Sequence, residues 1–164
     1  MSVGNEGAVR ALEMKDICGY LPHGLHFIKD GEVYTPDFVN VRCRRENKGQ
    51  KPILRPLSDL YQTITHGGRR FVPIVELAKT SDIIEKAWKV SEQRAIDSNN
   101  TMNQFFFCPK DGFFRIISGS NGIEFVRRQI DLFDLLHEWK IDYRDLIGAG
   151  LAVSVHDIKE AVYE

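Results

Sequence analysis

Near the end of the chain, apolar residues recur at helical spacing: Leu132, Leu135, Leu136 and Trp139 fall at i, i+3, i+4 and i+7, with Phe133 widening the stripe. This period predicts a helix beginning at Gln129, with Asp131, Asp134, Glu138 and Lys140 turned to water. Asp142 then stands where an N-cap acceptor belongs, Tyr143 to Ile147 reads as a short second helix, and Gly148 and Gly150 supply a flexible exit. Upstream lies the strongest hairpin signal, Phe105-Phe106-Phe107-Cys108 and Phe113-Phe114-Arg115-Ile116-Ile117 around a Pro109-Lys110-Asp111-Gly112 turn. A second turn, Ser118 to Gly122, leads into Ile123 to Val126 and makes a three-stranded meander that feeds the helix.

The first half follows the same logic with shorter elements. Leu25 to Ile28 and Glu32 to Tyr34 flank a Lys29-Asp30-Gly31 turn, which predicts a hairpin. Val39, Val41 and Cys43 alternate with Asn40, Arg42 and Arg44, the pattern of a strand with one wet face and Cys43 pointing inward. Ile53-Leu54 reads as a short strand closed off by Pro56, and Ser58 as the cap of a helix carrying Leu60, Tyr61 and Ile64 that His66-Gly67-Gly68 stops. Arg69 to Val72 is extended, and Pro73 starts a brief helix through Ala78. Asp82 and Glu85 form a capping pair for a further helix, with Ile84, Ala87, Trp88 and Ala95 on one side and an end at Ser98-Asn99-Asn100. The expected fold is a single α+β domain over 14–164, antiparallel β-meanders packed against amphipathic helices, behind a flexible tail over 1–13.

A chain of 164 residues is long enough to bury about two-thirds of its unfolded surface without a metal or disulfide staple. Hydrophobic residues make up 43% and charged ones 27%, with a formal net charge of -1, which excludes wholesale disorder. No apolar run approaches the roughly 20 residues of a membrane span, and the N-terminus lacks a signal-peptide core, so a cytoplasmic location is the default expectation. Cys18, Cys43 and Cys108 are far apart with no C-x-x-C spacing, so they are expected to be reduced thiols, Cys18 buried and inert among Ile17, Gly19 and Tyr20. His23 and His26 near Cys18 offer a remote route to a thiolate nucleophile, whereas His137 and His156 lie outside ligand spacing of any other candidate. No catalytic residue, metal site or cofactor is expected.

Charge is distributed unevenly. From Arg42 to Arg70 the bases Arg42, Arg44, Arg45, Lys48, Lys51, Arg55, Arg69 and Arg70 face only Glu46 and Asp59, while the segment from Asp131 onward is strongly acidic. Alternating arginines continued by Lys48, Lys51 and Arg55 would lie along phosphates, with Tyr34 or Tyr61 available for stacking. The bland reading is a solvated edge strand whose charges discourage aggregation.

The blocks Met14-Lys15-Asp16-Ile17-Cys18-Gly19-Tyr20-Leu21-Pro22-His23-Gly24-Leu25, Ile53-Leu54-Arg55-Pro56-Leu57-Ser58-Asp59-Leu60, Phe71-Val72-Pro73-Ile74 and Trp139-Lys140-Ile141-Asp142-Tyr143-Arg144-Asp145-Leu146-Ile147 resemble those of small uncharacterised proteins encoded in phages and prophages of gut Bacteroidetes. The resemblance implies a phage or mobile-element setting in a bacterial host cytosol and brings no activity or site with it. The expected function is a non-enzymatic binding or adaptor protein with a host or phage protein partner. Nucleic-acid binding through Arg42, Arg44, Arg45, Lys48, Lys51 and Arg55 stands second, and a thiol-dependent enzyme third.

Overall fold

The computed structural model describes residues 10–36, 49–81, 88–119, 122–159 and 162–163. It is an α+β fold, built on a four-stranded and a five-stranded sheet with a two-stranded hairpin and helices. In the first sheet, β1 (Phe27–Lys29) and β2 (Glu32–Tyr34) form the expected hairpin, registered Phe27 to Tyr34. Asp30 and Gly31 turn it with φ of 52° and 87°, the left-handed pair that matches the twist of a two-residue hairpin loop. β3 (Lys51–Leu54) pairs antiparallel with β1, and its other edge takes a late two-residue strand, Val153–Ser154, in parallel.

The chain after β3 departs from expectation. Leu57–Tyr61 makes only a 3₁₀ turn, because Gln62 is already extended and Ile64 belongs to a strand. β4 (Ile64–His66) and β5 (Arg69–Phe71) pair across Gly67 and Gly68, so these glycines turn a hairpin rather than stop a helix. Pro73 then opens the helix Pro73–Ser81, which buries Ile74, Leu77 and Ala78.

The second sheet is a five-stranded antiparallel meander in chain order: β6 (Trp88–Ser91), β7 (Arg94–Asp97), β8 (Gln104–Cys108), β9 (Phe113–Ile117) and β10 (Ile123–Phe125). The last three strands are the expected aromatic meander. The first two replace the expected helix through Trp88 and Ala95: residues 82–87 lie outside the described residues, and from Trp88 the chain is a hairpin. The seven-residue spacing of Trp88 and Ala95 fits a helix, but the chain folds back between them: Trp88 with Val90, and Ala95 with Asp97, alternate as two separate strands, and the pairing with β8 fixes Ala95 toward the core. Glu92 and Gln93 make the turn with φ of 47° and 59°, a left-handed pair without glycine, so no turn signal marked it in the sequence.

The helix Gln129–Glu138 forms as expected and packs Leu132 and Leu136 into the main core with Leu60, Ile74, Leu77, Phe105, Phe114 and Trp139. Each such fully buried side chain contributes about 1.5–3 kcal/mol of transfer free energy. Gln129 ties this helix to the sheet: its Nε2 donates to Phe114 O at 2.6 Å and its Oε1 accepts from Phe114 N at 3.0 Å, completing the ladder where β10 has ended. A second cluster joins Ile17, Tyr20, Leu25, Phe27 and Leu54 to Leu146, Leu151 and Ala152, with Tyr143 packed against both cores. Tyr20 donates to Ile141 O at 2.8 Å, so the N-terminal segment is bonded into the C-terminal one.

Three local expectations are corrected here. Tyr143 to Ile147 forms turns, and Asp142 accepts from Leu146 N and Ile147 N at 2.9 and 2.7 Å, four and five residues on rather than the two or three of an N-cap. Lys140 is not turned to water but only 4% exposed, because the chain leaves the helix with Lys140 at φ 59° and points its stem inward. Cys18 is exposed rather than buried, since Ile17 and Tyr20 on the other side of its turn take the core positions. The strand expected at Val39 to Cys43 lies outside the described residues. Just before Met14, Arg10 clasps Asp16 through two hydrogen bonds of 2.7 and 3.1 Å and Leu12 packs on the second core.

Candidate binding face

Of the basic residues expected to meet phosphates, Arg42, Arg44, Arg45 and Lys48 lie outside the described residues. Lys51 is exposed on β3, but Arg55, just past the strand, is buried. Arg55 is 7% exposed; its Nη2 donates to Thr65 O at 2.9 Å and Tyr163 O at 3.0 Å, and its Nη1 lies 3.9 Å from Asp59. Its backbone is bonded on both sides to Lys140 and Asp142, so the side chain must enter the interior behind it. It is a structural cation, and this removes it from the phosphate-binding group.

Around Arg55 gathers a polar cluster drawn from distant parts of the chain. Buried Asp59 accepts from His156 Nε2, 2.8 Å away, whose own ring is open to solvent. Lys140 Nζ donates to Glu138 O at 2.8 Å and lies 5.1 Å from the centre of the Tyr163 ring. Burial pulls Lys140 down to about 8, against the opposing pull of the Glu138 carboxylate and with the help of Arg55. The same desolvation lowers His66 and His26 below their ordinary value. Among the described residues no three metal-ligating side chains come together, and the cluster's bonds run to its own backbone and carboxylates, which is the work of fastening the C-terminal segment to β3.

The outer face of the five-stranded sheet is different. Strand alternation sends Trp88, Ala95, Phe105, Phe107, Phe114 and Ile116 to the core and leaves the opposite positions half-buried or exposed. Registers align Phe106 with Arg115 and Arg115 with Phe125, and the pairing of Ala95 with Phe105 places Arg94 beside Phe106. A single row therefore runs Arg94, Phe106, Arg115, Phe125 across four adjacent strands, cation and ring in alternation. The Arg94 guanidinium lies 5.0 Å from the Phe106 ring centre and that of Arg115 lies 4.7 Å from Phe125. Phe113 meets Phe125 edge to face at 6.0 Å, and Ile123 extends the exposed apolar surface along the sheet edge. With Lys89 included, the outward strand positions carry three cations and no carboxylate; Asp111, in the turn, reaches Arg115 from the rim.

Nothing in the charge count along the chain pointed to this face, whose cations are separated by sequence and assembled by pairing. One signal was present: Phe105-Phe106-Phe107 and Phe113-Phe114 place rings on both sides of their strands, so a sheet with one buried face must leave aromatic rings in water. Comparison with known protein families, with proteins of curated function and with solved structures finds no match to this chain. No helix among the described residues is long and apolar enough to cross a membrane.

Proposed function

We propose that this is a nucleic-acid-binding protein that presents the outer face of its five-stranded sheet to the sugar-phosphate chain. The observation that carries this reading is the row Arg94, Phe106, Arg115, Phe125, three cations with Lys89 on a face whose strands hold no outward carboxylate. Such a face attracts a polyanion, and each phosphate it neutralises releases condensed counterions. The phage or prophage setting implied by the sequence blocks is compatible with this role.

The protein-adaptor reading draws on the exposed Phe113, Ile123, Phe125 and Ile130, an apolar group of the kind that also marks protein interfaces. Binding to mixed-sequence oligonucleotides, titrated with salt, separates the two. Affinity is expected to fall linearly on a log-log plot, with a slope of about -0.7 for each contacted phosphate of a single strand. Charge reversal at Arg94 and Arg115 together should abolish it. Absence of binding at low salt would remove the nucleic-acid reading and leave the adaptor.

A further inference from the structure

We infer that the strand this face takes is single, held by bases stacked on Phe106 and Phe125 with Arg115 between them. The inference rests on the nucleic-acid reading above and adds to it the form of the ligand and the residues that select that form.

Charge alone would not distinguish a duplex from a single strand, but the rings do. A duplex offers a protein surface its phosphates and groove edges, while the faces of its bases are closed in the stack. Phe106 and Phe125 set against such a surface would be covered by phosphate and sugar, which gains nothing from an aromatic face. A single strand can splay its bases onto rings and guanidinium planes, and every base has such a face.

The spacing suits that arrangement. Adjacent strands lie about 4.8 Å apart, so Phe106 on β8 and Phe125 on β10 are separated by about 10 Å with Arg115 on the strand between. Two rings at that distance accept two bases without forcing them on each other, and the intervening guanidinium can reach a phosphate or stack in its turn. The rings are also held in place before any ligand arrives: Arg94 lies over Phe106, Arg115 over Phe125, and Phe113 abuts Phe125 nearly at right angles, 87° between planes. Phe125 remains 62% exposed in this setting, so ring surface is left for a base. Preordered rings lose little side-chain freedom on binding, which is the advantage of a platform over a loose aromatic side chain.

The platform belongs to the sheet rather than to a loop. β8 and β9 pair over their full length, and Gln129 anchors Phe114, the residue between Phe113 and Arg115, to the C-terminal helix. Reading a base sequence by its edges would need donors and acceptors directed at the ligand; the outward strand residues offer few neutral ones, Ser91, Gln104 and the Cys108 thiol, of which Gln104 already accepts from Arg94 at 2.5 Å and Cys108 donates to Asp111. Recognition is therefore expected to tolerate most sequences.

Anisotropy of labelled mixed-sequence 12-mers tests this with four probes of equal phosphate number: single-stranded DNA, single-stranded RNA, a hairpin duplex, and an abasic strand that keeps the phosphates and the flexibility but carries no bases. The single strands should bind at least roughly tenfold more tightly than the duplex or the abasic strand at equal salt. Phe125→Ala should weaken single-strand binding roughly tenfold while leaving the salt slope unchanged, and Phe125→Trp should restore it. Phe125 is exposed, so the fold tolerates its loss; Phe106→Ala, checked for folding by circular dichroism, gives the second position. Equal binding of duplex, abasic and single strands, or no effect of Phe125→Ala, would overturn the single-strand inference and leave nucleic-acid binding intact. Failure of all four probes to bind at low salt would overturn both and direct the face to a protein partner.

Discussion

Gly19 lies flat against the imidazole of His137: a β-carbon added there would sit 2.4 Å from the ring's Cε1, inside any contact a real side chain makes. The ring cannot retreat, because it meets Tyr20 edge to face at 4.8 Å and its Nε2 is 2.9 Å from the Tyr143 hydroxyl. Gly19→Ala should destabilise the fold by about 1–3 kcal/mol, as overpacking does. His137→Ala removes the obstacle, so the double variant should lose less than the sum of the two single ones in denaturant unfolding. Additive losses would show that Gly19 is required for some reason other than this contact.

Leu136 is fully buried in the main core and Asp134, on the same helix, faces water. Leu136→Ala should cost about 2–5 kcal/mol and Asp134→Ala close to nothing. Thermal unfolding of the pair measures the difference, and equal effects would place the helix face wrongly.

Arg55 should behave as a core residue rather than as a binding one. Arg55→Met removes the donor to Thr65 O and Tyr163 O and the charge beside buried Asp59, and should cost about 3 kcal/mol or more. The loss should appear in stability, measured by urea unfolding, before any binding is assayed. A normally stable Arg55→Met with weakened oligonucleotide binding would return Arg55 to the binding group.

Lys140 makes stability rise with pH in the alkaline range. Burial, chiefly, lowers it to about 8 in the folded state, against 10.5 for an ordinary lysine. Between these values the unfolded chain binds the proton that the folded chain has lost, so unfolding free energy increases as pH rises through the window. Below about 8 both states are protonated and the penalty of burying the charge is constant. Lys140→Met lacks the titration, so the stability of the natural chain relative to this variant should climb from pH 8 to 10.5. His26, His66 and His137, all lowered mainly by burial, act with the same sign at acid pH: stability should fall as pH drops through the ordinary histidine value of 6.5. A flat difference curve for Lys140→Met would mean that its amine is solvated.

Cys18 is exposed and should react with iodoacetamide in the native protein without loss of structure. Cys108 occupies an outward position on β8, its Sγ 3.4 Å from Asp111 Oδ2, next to the row of rings. Alkylation there should weaken oligonucleotide binding, whereas Cys108→Ser should not. Peptide mapping of the labelled protein, followed by the anisotropy assay, separates the two sites.

Those parts of the fold whose signals are local were legible in the chain. The helix at Gln129–Glu138 follows from an apolar stripe running from Leu132 to Trp139, and the hairpins at Asp30-Gly31 and Asp111-Gly112 follow from turn residues that accept a positive φ. Pro73 opened its helix for an equally local reason, a fixed φ and a missing donor where none is needed. These choices are made among neighbours, so neighbours suffice to read them.

Pairing between distant segments decided the rest. Trp88 and Ala95 suit either a helix or a strand until β8 lies beside β7, and the Glu92-Gln93 turn adopts its left-handed backbone because the paired strands require it. Arg55 and Lys140 are charged residues that any sequence reading sends to water. They go inside because Thr65, Tyr163 and Glu138 carbonyls meet them there, and two of those partners, Thr65 and Tyr163, lie ten and 108 residues along the chain from Arg55. The row Arg94, Phe106, Arg115, Phe125 exists only as register: four residues spread over four strands become neighbours when the strands pair at about 4.8 Å. Alternation along the chain shows that Phe105 and Phe106 point to opposite sides, but which side is buried depends on where the helices Pro73–Ser81 and Gln129–Glu138 come to rest.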